Sequence, residues 1–372
     1  MAAAKNTETE IGEADRLEGF PHPRETGVFV GHDAAIEQLA AAIGSNRMHH
    51  AWLLSGPKGI GKATLAYRVA RVLLNSNTET NVPERLHVAK TSITYQHIAA
   101  MTHPDLFVLR RPWDDSGREG KLKTVLPVEE VRKAAGFFSK SAGNGGWRVC
   151  IVDSVDEMNI NAANALLKIL EEPPPRALFL LISHSPGRLL PTIRSRCQKL
   201  PMHELSEGEV MHLLQAHLPE LGHSESIVAA RLAEGSIGRA LMLAQDDGLK
   251  AYSEMVAMLG KLPQLDIAEL HALGDRLSRP NAEAAYTNLT EMLHQWLARM
   301  IRNSAASREI IEAVPGETEI MARLFASASL DQWMQVWENI GTLLVKAASV
   351  NLSRKQVILN IYTRLAETAQ GR

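Results

Sequence analysis

The segment Ser55-Gly56-Pro57-Lys58-Gly59-Ile60-Gly61-Lys62-Ala63-Thr64 constrains this chain more than any other stretch. It follows the apolar run Ala51-Trp52-Leu53-Leu54 and opens an amphipathic pattern through Leu65, Val69, Val72 and Leu73, so it reads as strand, glycine-rich loop and helix. Glycines let backbone N–H groups converge without side-chain interference, and the helix N-terminus adds partial positive charge. Such a loop is built for an anion, with Lys62 placed to reach the terminal phosphates of a nucleotide. Gly56, Pro57, Lys58, Gly59, Ile60, Gly61, Lys62, Ala63 and Thr64 are therefore the nucleotide-binding candidates. One position departs from the pattern. A Ser or Thr ordinarily follows the lysine and ligates Mg²⁺, but Ala63 has no oxygen to offer. Thr64 is rotated by about 100° around the helix and is a poor replacement. A glycine-rich turn that binds nothing is the alternative reading.

Three further apolar runs, 106–109, 149–152 and 178–182, are flanked by helical patterns. Continuous apolar runs of this kind are what strands buried on both faces look like, so 27–200 reads as an α/β domain with a parallel sheet and helices on both faces. Residues 1–26 lack apolar periodicity and read as a flexible tail, or an extended arm on the next domain. After Pro201 the pattern is of short helices, Glu207–His217, Ser224–Ala233, Gly238–Gln245 and Tyr252–Leu259, taken as a small helical domain over 201–262. From 263 to 372 the pattern is all-helical, with Leu330, Trp333, Trp337, Ile340 and Leu344 as one expected buried stripe. The Gly-rich 141–146 reads as a turn into the strand at Val149.

A phosphate loop needs an acid at the end of a neighbouring strand, and Asp153 fits, placed to hold Mg²⁺ through water. Hydrolytic sites of this architecture follow that acid with a Glu that polarises the attacking water. Here the next residue is Ser154, a weak base, and Asp156 and Glu157 fall later on a turn. Ala63 and Ser154 thus both strike at hydrolysis rather than at phosphate contact.

Composition closes off other classes. Lys and Arg number 40 against 42 Asp and Glu, a formal net charge of −2, so the chain is not a polybasic nucleic-acid binder as a whole. Two cysteines, Cys150 and Cys197, cannot make a disulfide framework or a four-cysteine zinc site. No apolar run approaches the roughly 20 residues of a membrane span, and the polar N-terminus is not a signal peptide, so a soluble cytoplasmic protein without membrane partners is expected.

Two long motifs follow the acid: Asn161-Ala162-Ala163-Asn164-Ala165-Leu166-Leu167-Lys168-Ile169-Leu170-Glu171-Glu172-Pro173-Pro174, then Leu189-Leu190-Pro191-Thr192-Ile193-Arg194-Ser195-Arg196-Cys197. Together they resemble the clamp-loader branch of the AAA+ family, over about residues 28–245. The resemblance implies an AAA+ P-loop domain, a helical lid and a C-terminal helical collar for oligomerisation. Ser195, Arg196 and Cys197 match the family's SRC element, whose arginine reaches across a subunit boundary to the γ-phosphate held by a neighbour. An ordinary surface salt bridge is the alternative for Arg196. Gly235-Ser236-Ile237-Gly238-Arg239 resembles the start of the family's sensor-2 helix, which implies Arg239 over the nucleotide of its own chain, and Ser183 or His184 falls where sensor 1 sits.

The family further implies a subunit of the replicative DNA polymerase assembly. It would join motor-type and delta-type clamp-loader subunits in a hetero-oligomeric ring, help open a sliding clamp, and load it on primed DNA. ATP or ADP with Mg²⁺ is the implied cofactor. Many relatives carry a four-cysteine zinc module where this chain has TSITYQHIAAMTHPDL; His97 and His103 are too few ligands, so no zinc is expected. Members with such hydrolytic lesions often act as a fixed jaw, the stator, with weak or absent ATPase. The rival is an autonomous AAA+ motor, a motor subunit or branch-migration helicase, supported by the loop and Asp153 but opposed by Ala63 and Ser154. A P-loop kinase would need neither the SRC element nor a helical third domain.

Overall fold

The computed structural model describes residues 13–371 apart from 46, 76–81, 115–120, 140–145, 246, 306–311 and 351, so the expected turn at 141–146 lies outside the described residues except for Gly146. The chain divides into two compact units, Met1–Glu220 with Glu234–Arg239, and Leu221–Ala233 with Ala240–Arg372. Residues 201–262 are therefore shared between the two units.

In the first unit the apolar runs form strands β1 (Ala51–Ser55), β2 (Leu106–Leu109), β5 (Arg148–Asp153) and β6 (Ala177–Ser183). Among the described residues, the two-residue strands β3 (Trp113–Asp114) and β4 (Lys121–Leu122) pair with each other as a separate two-stranded sheet. A further strand, β7 (Gln198–Pro201), completes a five-stranded parallel sheet in the order β2-β5-β6-β1-β7. Side chains alternate across it. Trp52, Leu54, Val149, Ile151, Leu178, Leu180 and Ile182 pack on helices α1 (Asp33–Gly44), α2 (Lys62–Leu74) and α3 (Ile93–Ala99). Ala51, Leu53, Cys150, Val152, Phe179 and Leu181 face α4 (Val128–Phe138) and α5 (Ile160–Glu171). Both faces are covered, which is why these strands read as unbroken apolar runs. The edge strand β7 was not expected because it buries a single side chain, Leu200. The short helix α6 (Pro191–Ser195) precedes β7, and α7 (Glu207–His217) follows it under a capping box between Ser206 and Glu209.

Of the two readings of 1–26, the described residues 13–26 take the arm and not the tail, because they pack on α2 and β2. Phe20 and His22 are buried, the His22 and Tyr67 rings meet edge to face at 5.7 Å, and the Arg24 carbonyl accepts a hydrogen bond from Arg71. Arg110, just past β2, donates to Glu13 at 2.7 Å and to Asp15 at 2.9 Å, while Arg24 also pairs with Glu13. Burial alone would raise both carboxyls, yet Arg24 and Arg110 hold Glu13, and His22 and Arg110 hold Asp15, below their ordinary values. Glu13, Asp15 and His22 present ligand atoms within 4.8 Å of one another. Two guanidinium groups already neutralise the carboxylates, so this is an ion-pair anchor rather than a metal site. Arg110→Met is expected to destabilise the full chain by about 2 kcal/mol at pH 7, read as a fall in melting temperature of roughly 5 °C. Acids held low contribute above their unfolded values and lose that contribution as pH falls through the folded ones. The difference between wild type and variant should therefore start to shrink near pH ~4 and vanish only once the pH is below the lowered folded values.

The second unit is helical among the described residues: α8 (His223–Leu232), α9 (Ile237–Ala244, whose first residues belong to the other unit), α10 (Gly248–Gly260), α11 (Ile267–Leu277), α12 (Glu283–Ala305), α13 (Glu317–Ser327), α14 (Leu330–Val350) and α15 (Arg354–Ala369). The stripe expected along α14 is narrower than its spacing implied. Trp333 and Ile340 are buried, Trp337 is half-buried with its ring stacked on His294 at 4.8 Å, Leu344 is half-buried, and Leu330 is exposed at the helix start. A first-turn residue overhangs the end of the helix, so periodicity overstates its burial. No helix among the described residues is long and apolar enough to cross a membrane.

Candidate functional site

The phosphate loop lies between the end of β1 and the first turn of α2, as its sequence predicts. Gly59 and Gly61 have φ of 79° and 103°, a region that glycine enters without strain. A close approach reinforces the need at Gly59. The Gly238 N–H donates to the Gly59 carbonyl at 3.0 Å, and a Cβ on Gly59 would lie 3.3 Å from the Gly238 Cα. Ser236 Oγ donates to the Lys58 carbonyl at 2.9 Å. The start of α9 therefore buttresses the loop, which places Arg239 on the loop side of the unit. Arg239 lies 3.8 Å from Glu234. Ahead of α1, His32 Nε2 meets the Ile60 carbonyl at 2.8 Å and stacks on Phe29.

Lys62 is almost completely buried, and its Nζ donates to the carbonyls of Gly56, at 2.6 Å, and Pro57. Burial pushes its pKa down to about 8, although Asp153 and Asp156 pull the other way. Asp153 ends β5 and is pushed up to about 7 by burial, then by Asp15 and Glu157, with Lys62 and Arg110 opposing. Lysine and acid thus stand in one electrostatic neighbourhood, as a phosphate and cation site requires. Ala63 is half-buried and supplies no oxygen there. The side chain of Ser154 is buried and its Oγ has no hydrogen-bond partner. These residues fit the phosphates of a nucleotide far better than they fit its metal or an attacking water.

Past Asp153, the turn Val155–Glu157 carries two acids, each with partners of its own. Glu157 pairs with Arg111 at 2.8 Å. Asp156 reaches the end of β6, where it accepts from Ser183 Oγ at 2.8 Å, His184 N at 2.5 Å and Ser185 N at 3.4 Å. Ser183, fully buried, is thereby used internally. The His184 imidazole is pushed down to about 4 by burial and then by Lys62, with Asp156 opposing and Lys58 adding to the fall. Sequence reasoning set Asp156 aside because it falls on the turn past Asp153; its partners lie 27–29 residues downstream, where no local pattern shows them.

The SRC element lies at the end of α6. Ser195 Oγ donates to the Thr192 carbonyl at 3.1 Å, a local turn contact. Cys197 is buried in the core under α5, and burial pushes its thiol up to about 12, so it is packing and not chemistry. Arg196 is partly exposed, donating to the Thr192 carbonyl at 3.1 Å and to Glu171 at 2.7 Å. In the isolated chain it makes the surface ion pair of the alternative reading.

A family model described as DNA polymerase III, delta subunit, matches residues 31–206. The DNA polymerase III subunit delta' of Pseudomonas aeruginosa is 35% identical over 65% of this chain, a match that spans 62% of that relative's length. The delta' subunit of Escherichia coli is 29% identical over 90% of this chain and 94% of its own length. The tau subunit of Escherichia coli is 30% identical over 71% of this chain and 41% of its own.

Proposed function

We propose that this chain is a clamp-loader subunit of the delta-prime type, as the family match over 31–206 and the two delta' relatives support, and that it is the stator of its assembly, a subunit that binds and braces rather than turns over ATP. It would join motor and delta-type subunits, help open the sliding clamp on primed DNA, and present Arg196 to the nucleotide of a neighbour. One observation carries the reading. The phosphate loop keeps its shape and its lysine, while the two groups that hydrolysis needs beside it are replaced by Ala63 and by the buried, unpartnered Ser154. Asp153 alone is a thin metal site, because the hydroxyl that would share the ion is missing. Any ATP or ADP taken up in the loop would be held by Gly56–Lys62, with Arg239 at the buttressed side.

The test is ATP turnover by the purified chain with Mg²⁺, with and without primed DNA. Turnover no faster than a Lys62→Ala control is expected. Robust turnover stimulated by DNA would sink the stator reading and make the chain a motor.

Phosphate binding has its own signature. Lys62 attracts an anion only as the ammonium, and its depressed pKa places the loss of that charge near pH 8. Affinity for inorganic triphosphate should therefore fall as pH rises through about 8, well before an ordinary lysine would titrate. The sign for stability is the reverse. The unfolded chain holds the Lys62 proton more tightly, so this residue lowers stability below pH ~8 and the penalty lifts above it. Calorimetric titration at pH 7 and pH 9.5 reads the first effect. Constant affinity across that interval would mean that Lys62 does not meet the anion.

A further inference from the structure

We propose that Asp156 is a positioning residue of the phosphate site: its carboxylate ties the end of β6 to the turn after β5 and so sets the His184 imidazole beside Lys62 and Lys58, where the terminal phosphate of a nucleoside triphosphate would meet it. The ligand in this inference rests on nucleotide binding at the loop; the tie itself does not.

Three donors converge on one carboxylate. Ser183 Oγ and the Ser185 N–H reach Oδ1 at 2.8 and 3.4 Å, and the His184 N–H reaches Oδ2 at 2.5 Å. Hydrogen bonds to an ionised acceptor are short and strong, so the strand tip is held in one conformation. Ser183 has spent its hydroxyl on this tie and is fully buried, which leaves His184 as the side chain the tip can offer. The ionisable groups that act on His184 are Lys62, Lys58 and Asp156. Its Nδ1 is buried and has no hydrogen-bond partner, and an unpartnered buried nitrogen within the field of Lys62 and Lys58 is a contact waiting for an anion. Lys62 is the group that reaches terminal phosphates, so an anion drawn to it lies within the field that His184 shares. Asp156 is also a partial counter-charge to Lys62.

The experiment compares wild type, Asp156→Ala and Asp156→Asn, each labelled with ¹⁵N-histidine. ATP and ADP affinities are measured by calorimetry, and the His184 backbone amide is followed by NMR without nucleotide. Asparagine can still serve two of the three donors' positions; alanine serves none. For Asp156→Ala the expected result is a roughly tenfold loss for ATP, little loss for ADP, and a displaced His184 amide signal, with Asp156→Asn recovering most of the ATP affinity. Equal losses for ATP and ADP with a matching drop in melting temperature would reduce Asp156 to a structural role and overturn the proposal. An unchanged His184 amide in Asp156→Ala would also overturn it. Should wild type bind neither nucleotide, the nucleotide reading of the loop fails by itself. The His184 amide then decides the tie alone: displacement supports it and constancy overturns it.

Discussion

On the proposed reading, replacing Arg196 with alanine should lower ATP turnover by a reconstituted clamp-loader complex by roughly 10³. The isolated chain should keep its melting temperature within about 2 °C, the range of an ordinary surface substitution. A guanidinium brought to a transferring phosphoryl group meets charge that develops in the transition state, and it does so where water is excluded. In the single chain that group is only partly buried and rests on Glu171 at 2.7 Å and on the Thr192 carbonyl. An ion pair so exposed is worth ~0.2–1 kcal/mol, a small barrier to its transfer onto a phosphate. Two controls separate the roles. Glu171→Ala frees the arginine without removing it and should leave complex turnover at least as high. Arg196→Lys keeps the charge but loses the planar fork, and should recover little. If Arg196→Ala leaves turnover unchanged, the residue is the surface ion pair seen in the isolated chain and the role across the subunit boundary falls.

What was legible in the sequence, and what was not, divides along a physical line. Strands β1, β2, β5 and β6 were readable because burial on both faces leaves a continuous apolar run in each, and that pattern is local. Strand β7 was missed because an edge strand with one buried side chain carries no such pattern. The loop, and the replacements at Ala63 and Ser154, were readable because a motif fixes their neighbours by spacing. The arm was offered only as the alternative to a tail, because its residues are polar. Its anchors are polar too, but Arg110 lies 95 residues from Asp15, and no window along the chain shows that Asp15 has a partner. Asp156 was passed over for the same reason. Cys197 belongs to a motif through its position, yet its side chain fills the core, so motif membership named the segment and only packing could separate Arg196 from its neighbours.

The second large effect falls in the helical unit, where the sequence shows only amphipathic patterns. Glu317, at the start of α13, is completely buried. Its carboxylate accepts from Trp296 Nε1 at 2.9 Å, from the Ala313 N–H at 3.0 Å, and from Tyr252 and Arg299 at close range. Arg299 also donates to the Tyr252 hydroxyl at 2.7 Å, so one acid joins α10, α12 and α13. Removing one member of a buried ion pair strands the other charge, at about 3–5 kcal/mol. Glu317→Ala should therefore lower the melting temperature of this unit by roughly 10 °C. Glu317→Gln should fall between, because the amide can still accept from Trp296 while Arg299 loses its counter-charge. The joint change Glu317→Leu with Arg299→Met should recover most of the loss, since an apolar pair of similar volume needs no desolvation of charge. Calorimetric melting of the full chain reads all three. If Glu317→Ala melts within about 2 °C of wild type, the network holds the helices in register without stabilising them, and the double replacement should then melt no higher than the single one.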